Sequence, residues 1–454
     1  MKKSILLFCF LLGCLTITIA QKPSITGYEA SMQRTQWWRE ARFGLFLHFG
    51  LYAIPARGEW VKSIEKMSNE DYQQYFDEFN PVDYNPREWA KVAKAAGMKY
   101  AVMTAKHHDG FALWDTKQSD YKSTNTPCKR DLVKEYLEAF RAEGLKVGLY
   151  FSLIDWHHPD YPKFNDPYHP MRGNDKFKDE KPSWDRYLQF MHAQVKELVS
   201  NYGKLDIIWF DFSYRDYNAE KWKADELIKM VRSYQPDVII DNRLVENDTT
   251  NKYKAFAFGD FFTPEQQIPD RAMIDKQGRP VPWETCMTLN NSWGYNRKDN
   301  DWKSPEIVIS TLVNCVSKGG NLLLNVGPDA RGNFPDESIQ ILSEVGKWMK
   351  KNGASIYGCS TTAGFDKPEW GRFTQHGKFL YMHRLDLISD RINLTTFSDK
   401  IKRITLLSDG SEVKQETFWL DPNPASRYLF LKRPTTQNYS FTKDFDNVFE
   451  VELK

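Results

Sequence analysis

Three observations predict an α/β protein, a (β/α)8-like barrel followed by a C-terminal antiparallel β-sandwich. From residue 43 to residue 351 short apolar runs alternate with helical patterns, each pair taking roughly forty residues. The runs are apolar at nearly every position, which demands a parallel sheet buried on both faces. After residue 353 the rhythm changes to short alternating segments separated by turn residues, with no convincing helix. A length of 454 residues accommodates one barrel with a smaller companion. A doubly wound open sheet is the architectural rival. Polar residues at the carboxyl ends of the runs favour the barrel, because only there do those ends converge on one mouth.

The elements follow in order. Met1-Lys2-Lys3, the mainly apolar stretch 5–19, Ala20 and the polar Gln21 read as a secretory signal peptide over 1–20. The mature chain is then exported, periplasmic or secreted. Leu11-Leu12-Gly13-Cys14 loosely resembles a lipid-attachment signal, but the apolar residues after Cys14 argue against a polar tether. The barrel is assigned to 21–355 and the sandwich to 356–454. Barrel strands are expected at 43–50, 100–105, 146–152, 205–212, 237–241, 285–289 and 321–326. Helices are expected at 86–97, 131–144, 184–202, 223–234, 305–318 and 337–351, with an aperiodic stretch after the fifth strand. Sandwich strands are expected at 378–383, 391–395, 401–407, 427–431 and 447–451. No run after the leader approaches the ~18 apolar residues of a membrane span.

Composition narrows the function. Hydrophobic residues make up 41% and charged ones 27%, so a core can form and wholesale disorder is excluded. Lys plus Arg number 62 against 60 Asp plus Glu, and Lys2 and Lys3 leave with the leader, so nucleic acid is not the expected partner. Aromatic residues reach 15%, and their faces stack on sugars as well as filling cores. Beyond the leader stand Cys128, Cys286, Cys315 and Cys359, too scattered for a disulfide scaffold or a zinc site.

Candidate chemistry sits at the strand ends. Asp211 closes the run Leu205-Asp-Ile-Ile-Trp-Phe-Asp and is the nucleophile candidate, a carboxylate at a place where burial is costly. Asp206, at the other end of that run, reads as structural. Lys106-His107-His108-Asp-Gly-Phe111 closes the second run, and His48 ends the first. Adjacent histidines point to opposite sides of a regular strand, which disfavours a metal pair. Neutral imidazoles both donate and accept hydrogen bonds, as sugar hydroxyls do. Arg243 ends the fifth run, where it can orient a carboxylate. Trp60, Trp209 and Ser292-Trp293-Gly294-Tyr295 supply aromatic surface. A glycosidase needs a second carboxyl group. Glu265, Asp270 and Glu284 are open for that role, with Glu265 preferred for its place beside a proline-marked loop and Glu284 the alternative.

These motifs together carry a resemblance. Phe43-Gly-Leu-Phe-Leu-His48-Phe-Gly, Lys-His107-His108-Asp-Gly-Phe, Trp209-Phe-Asp211, and Trp283-Glu284-Thr-Cys with Ser292-Trp-Gly-Tyr resemble glycoside hydrolase family 29, the α-L-fucosidases, over roughly residues 37–359. The accessory sandwich is matched by architecture only. The resemblance implies a retaining exo-hydrolase of fucosylated oligosaccharides or glycoconjugates, with no metal or organic cofactor. It implies Asp211 as nucleophile, and His48, Trp60, His107, His108, Tyr150, Trp209 and Arg243 as the fucose pocket. The acid/base residue has no fixed motif in the family. The tryptophan motifs are similar to the branch with relaxed linkage preference. A glycosidase for another hexose, or a non-catalytic sugar-binding protein, are the rival functions.

Overall fold

The computed structural model describes residues 27–245, 258–385, 391–430 and 447–454. The leader and Cys14 lie outside the described residues. Seven strands, β1 (Phe43–Leu47), β2 (Tyr100–Lys106), β3 (Lys146–Ser152), β4 (Ile207–Asp211), β5 (Ile239–Ile240), β6 (Glu284–Thr288) and β7 (Asn321–Val326), form one sheet in the order β5-β4-β3-β2-β1-β7-β6. Every pairing is parallel. Each strand is buried along its length apart from the half-buried Lys146 that opens β3, as the unbroken apolar runs require.

The sheet curls around a core of its own. Phe46, Val102, Tyr150, Trp209, Ile239, Cys286 and Leu323, from all seven strands, pack in one cluster with Phe261. In a flat sheet β1 and β4 would stand about 14 Å apart. The rings of Phe46 and Trp209 nevertheless lie 5.2 Å apart, so their strands bend toward each other. Gly44 of β1 permits this, because a Cβ there would collide with the Tyr100 ring. The aperiodic stretch re-enters beside the sheet. Asp241 bridges in parallel to Phe261, Phe262 to Trp283, and Glu265 to Cys286. It therefore runs between β5 and β6. Single bridges with no apolar repeat leave no periodic signal, which is why the sequence reads as irregular there.

Helices on the outer face complete the layers: Pro86–Ala95, Leu132–Ala142, Trp184–Asn201, Ala224–Tyr234, Pro305–Ser317 and Asp336–Asn352. Their starts follow local chemistry. Asp131 and Ser304 accept from the backbone N–H groups of Lys134 and Ile307, and Pro305 takes the first helical position.

The C-terminal part holds two antiparallel sheets. Strands β8 (Gly371–His376), β9 (Phe379–Arg384), β11 (Ile401–Leu406) and β13 (Asn447–Leu453) run in the order β11-β13-β9-β8, and β10 (Arg391–Asn393) pairs with β12 (Tyr428–Phe430). A separate cluster joins them, with Ile392 and Leu429 from the smaller sheet against Phe373, Leu380, Met382 and Val451 from the larger. Strand β8 is absent from the sequence reading. Its composition, Gly-Arg-Phe-Thr-Gln-His, shows too little apolar alternation, and its place is set by pairing with β9. Tyr381 and Val448 face the other way, into the main core, and the Arg372 side chain donates to Asn314 at 3.0 Å.

Cys128, Cys286, Cys315 and Cys359 are all free and buried. No helix among the described residues is long and apolar enough to cross a membrane.

Candidate active site

The carboxyl ends of β1 to β6 open into a recess of about 410 Å³, mouth included. Its walls contain His48, Trp60, His107, His108, Tyr150, Trp209, Asp211, Arg243 and Glu265. Phe46, Phe212, Cys286 and Trp293 complete the lining.

Asp211 is the last residue of β4 and is buried. Burial by itself would raise its pKa. The Arg243 guanidinium, His108 and the Tyr150 hydroxyl outweigh that and hold the carboxyl below its ordinary value. Arg243 Nη1 donates to Asp211 Oδ1 at 2.8 Å, and Tyr150 Oη donates to Oδ2 at 2.7 Å. The guanidinium is fixed in turn by Thr263, whose Oγ1 accepts from Nε at 2.8 Å and whose carbonyl accepts from Nη2 at 3.2 Å. It lies 4.5 Å from the centre of the Trp209 ring. Its Nη2 also reaches Glu265 Oε2 at 2.9 Å. Arg243 thus holds two carboxylates, Asp211 on the floor and Glu265, 42% exposed, at the rim.

The three histidines are kept neutral. Burial lowers His48 to about 3 and His108 to about 4, and lowers His107 well below its usual value. His48 Nδ1 lies 2.7 Å from the Asn325 side-chain oxygen, and Asn325 Nδ2 donates to the Trp293 carbonyl. His108 Nδ1 meets Ser152 Oγ at 2.8 Å, and that hydroxyl donates its one proton to the Ile154 carbonyl. Nδ1 of a neutral His108 must therefore carry the proton, which leaves Nε2 as a bare acceptor. Nε2 and Asp211 Oδ2 stand 3.9 Å apart, and each is an acceptor open to a separate hydroxyl donor entering the recess.

His107 and His108 face the same recess, contrary to strand alternation. Strand β2 ends at Lys106 after a register shift, so the period-two rule no longer applies, and the two rings stand 4.1 Å apart. The rest of that motif supports the turn. Lys106 pairs with buried Asp155 at 3.2 Å, and Asp109 accepts from Tyr72 and the Phe111 N–H. Gly110 adopts φ 83°, where a side chain would also strike Asp155.

Two carboxyl candidates fall elsewhere. Glu284 opens β6 at the amino end of the sheet, fully enclosed, where Trp38 Nε1 donates to it at 3.2 Å and Tyr100 Oη donates to the same oxygen. It sits below the Trp209 side chain rather than in the recess, so the reading of Glu284 as alternative acid/base is corrected by its position. Asp270 is exposed and lines no part of the recess.

Residue parity could have found two of the linings the sequence reading missed. Phe46 shares a face with His48, and Cys286 is the inward residue of β6. Trp293 stood among the aromatic candidates without a role; it is placed 5.1 Å from His48 by its loop. Phe212 had no signal. It follows Asp211 directly and takes φ 84°, a conformation costing about 1–3 kcal/mol for a bulky residue, which turns its ring to 4.6 Å from His108. Among the described residues no group of three or more His, Cys, Asp or Glu side chains is placed to hold a metal ion.

A buried carboxylate clamped by arginine at the carboxyl ends of a curled parallel sheet, with a second carboxylate on the same clamp, supplies the pair of carboxyl groups that a glycoside hydrolase uses. Comparison with known proteins agrees. The profile described as Alpha-L-fucosidase matches residues 17–354, and the chain belongs to that family. It is 30% identical over 353 residues to an α-L-fucosidase of Dictyostelium discoideum, covering 71% of each chain. Over 352 residues it is 30% identical to the human plasma α-L-fucosidase, covering 72% of this chain and 69% of that one. Among solved structures, α-L-fucosidase isoenzyme 1 from Paenibacillus thiaminolyticus shares 54% identity with a TM-score of 0.88, over 93% of this chain and 99% of that one. A GH29 α-L-fucosidase from Bacteroides thetaiotaomicron, trapped as a covalent intermediate with 2-fluoro-fucosyl fluoride, is 30% identical with a TM-score of 0.79, over 93% and 96% of the two chains.

Proposed function

We propose that this enzyme is a retaining exo-α-L-fucosidase that releases terminal L-fucose from fucosylated glycans, with Asp211 as nucleophile and Glu265 as acid/base. The observation that carries the reading is the sharing of Arg243. Arg243 meets Asp211 through Nη1 at 2.8 Å and Glu265 through Nη2 at 2.9 Å, so both carboxyl groups sit on one guanidinium, an arrangement compatible with the about 5 Å spacing of a retaining pair. In the first step Asp211 attacks C1 of fucose, the bond from C1 to the leaving oxygen breaks, and Glu265, entering the step in its protonated form, turns from Arg243 and gives that oxygen its proton. The covalent intermediate of the Bacteroides relative supports this route. The proton transfer leaves Glu265 as a carboxylate within reach of Arg243. Glu265 then takes a proton from water, which attacks C1 and frees Asp211.

The recess suits one terminal sugar. Phe46 and Trp209 seal its floor, His48, His107 and His108 offer neutral nitrogen atoms to hydroxyls, and Trp60, Phe212 and Trp293 offer apolar surface to the C5 methyl group. We further propose that the segment 260–265 acts as the eighth strand that closes the barrel, that the two C-terminal sheets form a β-sandwich domain from residue 356, and that the chain is exported after cleavage at residue 20. Amino-terminal sequencing of the protein recovered outside the cytoplasm checks the last point, with Gln21 expected first.

A panel of aryl glycosides tests the activity, with the aryl α-L-fucoside turned over and the aryl galactoside left intact; preference for the galactoside would overturn the assignment. In Glu265→Ala, substrates with poor leaving groups should slow by about 10²–10⁴-fold, and azide should restore part of the rate.

A further inference from the structure

The aromatic wall of the recess does not stop at the fucose pocket. Trp60 and Phe212, both lining residues, meet Tyr168 at ring-centroid distances of 5.8 and 5.0 Å, and Tyr214 joins at 4.9 Å. Tyr168 belongs to the long connection after β3, which leaves the sheet on the mouth side. It is 36% exposed, although Trp60 and Phe212 beside it are partly buried.

An exposed ring on a loop is ordinarily unremarked, but this one is held from several sides. Buried Asp166 accepts from the Tyr168 N–H at 2.7 Å and from the hydroxyls of Tyr161 and Tyr214 at 2.6 and 2.7 Å. The Tyr168 carbonyl accepts from Ser63 Oγ at 2.6 Å, and Arg172 Nη1 donates to the same hydroxyl oxygen at 3.1 Å. Ser63 follows Trp60 by three residues, and Tyr214 follows Asp211 by three. The loop after β3, the loop after β4 and the Trp60 segment are therefore locked together under one outward-facing tyrosine. The lock fixes the backbone that carries Tyr168, and the rings of Trp60, Phe212 and Tyr214 flank its side chain, so a ligand stacking on it incurs little ordering cost.

We propose that Tyr168 is the platform for the leaving-group sugar, the hexose or N-acetylhexosamine to which fucose is attached, forming a subsite just outside the fucose pocket. The proposal rests on the fucosidase reading above. A pyranose presents an apolar C–H face to an aromatic ring, and the continuous wall from Phe212 through Tyr168 puts such a ring where the glycan must leave a recess sealed at its floor.

The test compares two fucosyl donors. α-L-Fucosyl fluoride has a leaving group too small to reach Tyr168, whereas a disaccharide of fucose α-linked to galactose places a pyranose there. In Tyr168→Ala the ratio of kcat/KM for the disaccharide to that for the fluoride should fall about tenfold, carried mostly by KM. Tyr168→Leu, which keeps apolar bulk against Trp60 and Phe212, should show the same fall, and Tyr168→Phe should keep the wild-type ratio. An unchanged ratio in Tyr168→Ala, or a loss shared equally by both donors, would overturn the platform while leaving the fucosidase reading in place. A wild-type enzyme inactive on both donors would overturn that reading and the platform with it.

Discussion

Two buried carboxyl groups occupy opposite ends of the same sheet and meet opposite treatment. Asp211 lies at the carboxyl end of β4, and Glu284 at the amino end of β6. Both lose water. Asp211 is compensated by a cation, Arg243, and stays below the ordinary carboxylate range. Glu284 receives only neutral donors from Tyr100 and Trp38; the Trp209 indole N–H faces it without closing a well-formed hydrogen bond, and burial pushes it up to about 7. A compensating charge keeps one buried carboxyl ionised, and its absence makes the other an acid that ties strand ends together. The mouth of the sheet is built for chemistry, the base for assembly.

The largest effect should come from the mouth. Asp211→Ala is expected to lower kcat on an aryl fucoside by about 10⁴-fold or more while far-UV circular dichroism and thermal unfolding stay near wild type. Comparable inactivation of a folded Glu284→Gln would erase the distinction between the two ends.

Arg243→Leu should act next, with kcat/KM falling by about 10²–10³-fold. It removes the cation that outweighs burial at Asp211, so the pKa of Asp211 rises. The acid limb of the kcat/KM profile should then move to higher pH, and a limb left in place would mean that Arg243 does not set the charge of Asp211. His48 and His108, at about 3 and 4, should contribute no inflection near neutral pH in the wild-type enzyme.

Glu284→Gln should change kcat by less than about threefold and act on stability instead. A carboxyl whose folded pKa is about 7, against an ordinary 4.5, binds more protons folded than unfolded between those values. Its contribution to stability is therefore fully present below about pH 4.5 and lost as pH rises toward 7, amounting to about 1–3 kcal/mol. Glutamine is free of that loss. The melting temperature of the variant relative to wild type should accordingly be higher at pH 8 than at pH 5, and a difference independent of pH would show that Glu284 does not titrate in this range.

Much of the mouth was legible because its residues end unbroken apolar runs. In Trp209-Phe-Asp211, the i, i+2 spacing places ring and carboxylate on one face, and both line the recess. Lys-His-His-Asp-Gly-Phe was legible as a unit because half of it serves the turn, through the buried Lys106 to Asp155 pair and the left-handed Gly110. Glu265 and Glu284 could not be separated in one dimension. One ends a bridge at the rim and the other starts a strand at the base, and that difference appears only when the segment after β5 is laid between β5 and β6. Phe212 escaped because its positive φ breaks the alternation on which the reading relied.

The order of residues by itself determined the alternation of strands and helices, the change of rhythm after residue 353 and the polar groups at strand ends, because hydrophobic period is a local property of the chain. Which carboxylates share Arg243, which histidine nitrogen carries a proton and which aromatic rings wall the recess were decided only by the tertiary structure. Those outcomes depend on groups tens to hundreds of residues apart, brought within about 3 to 6 Å by the curling of the sheet.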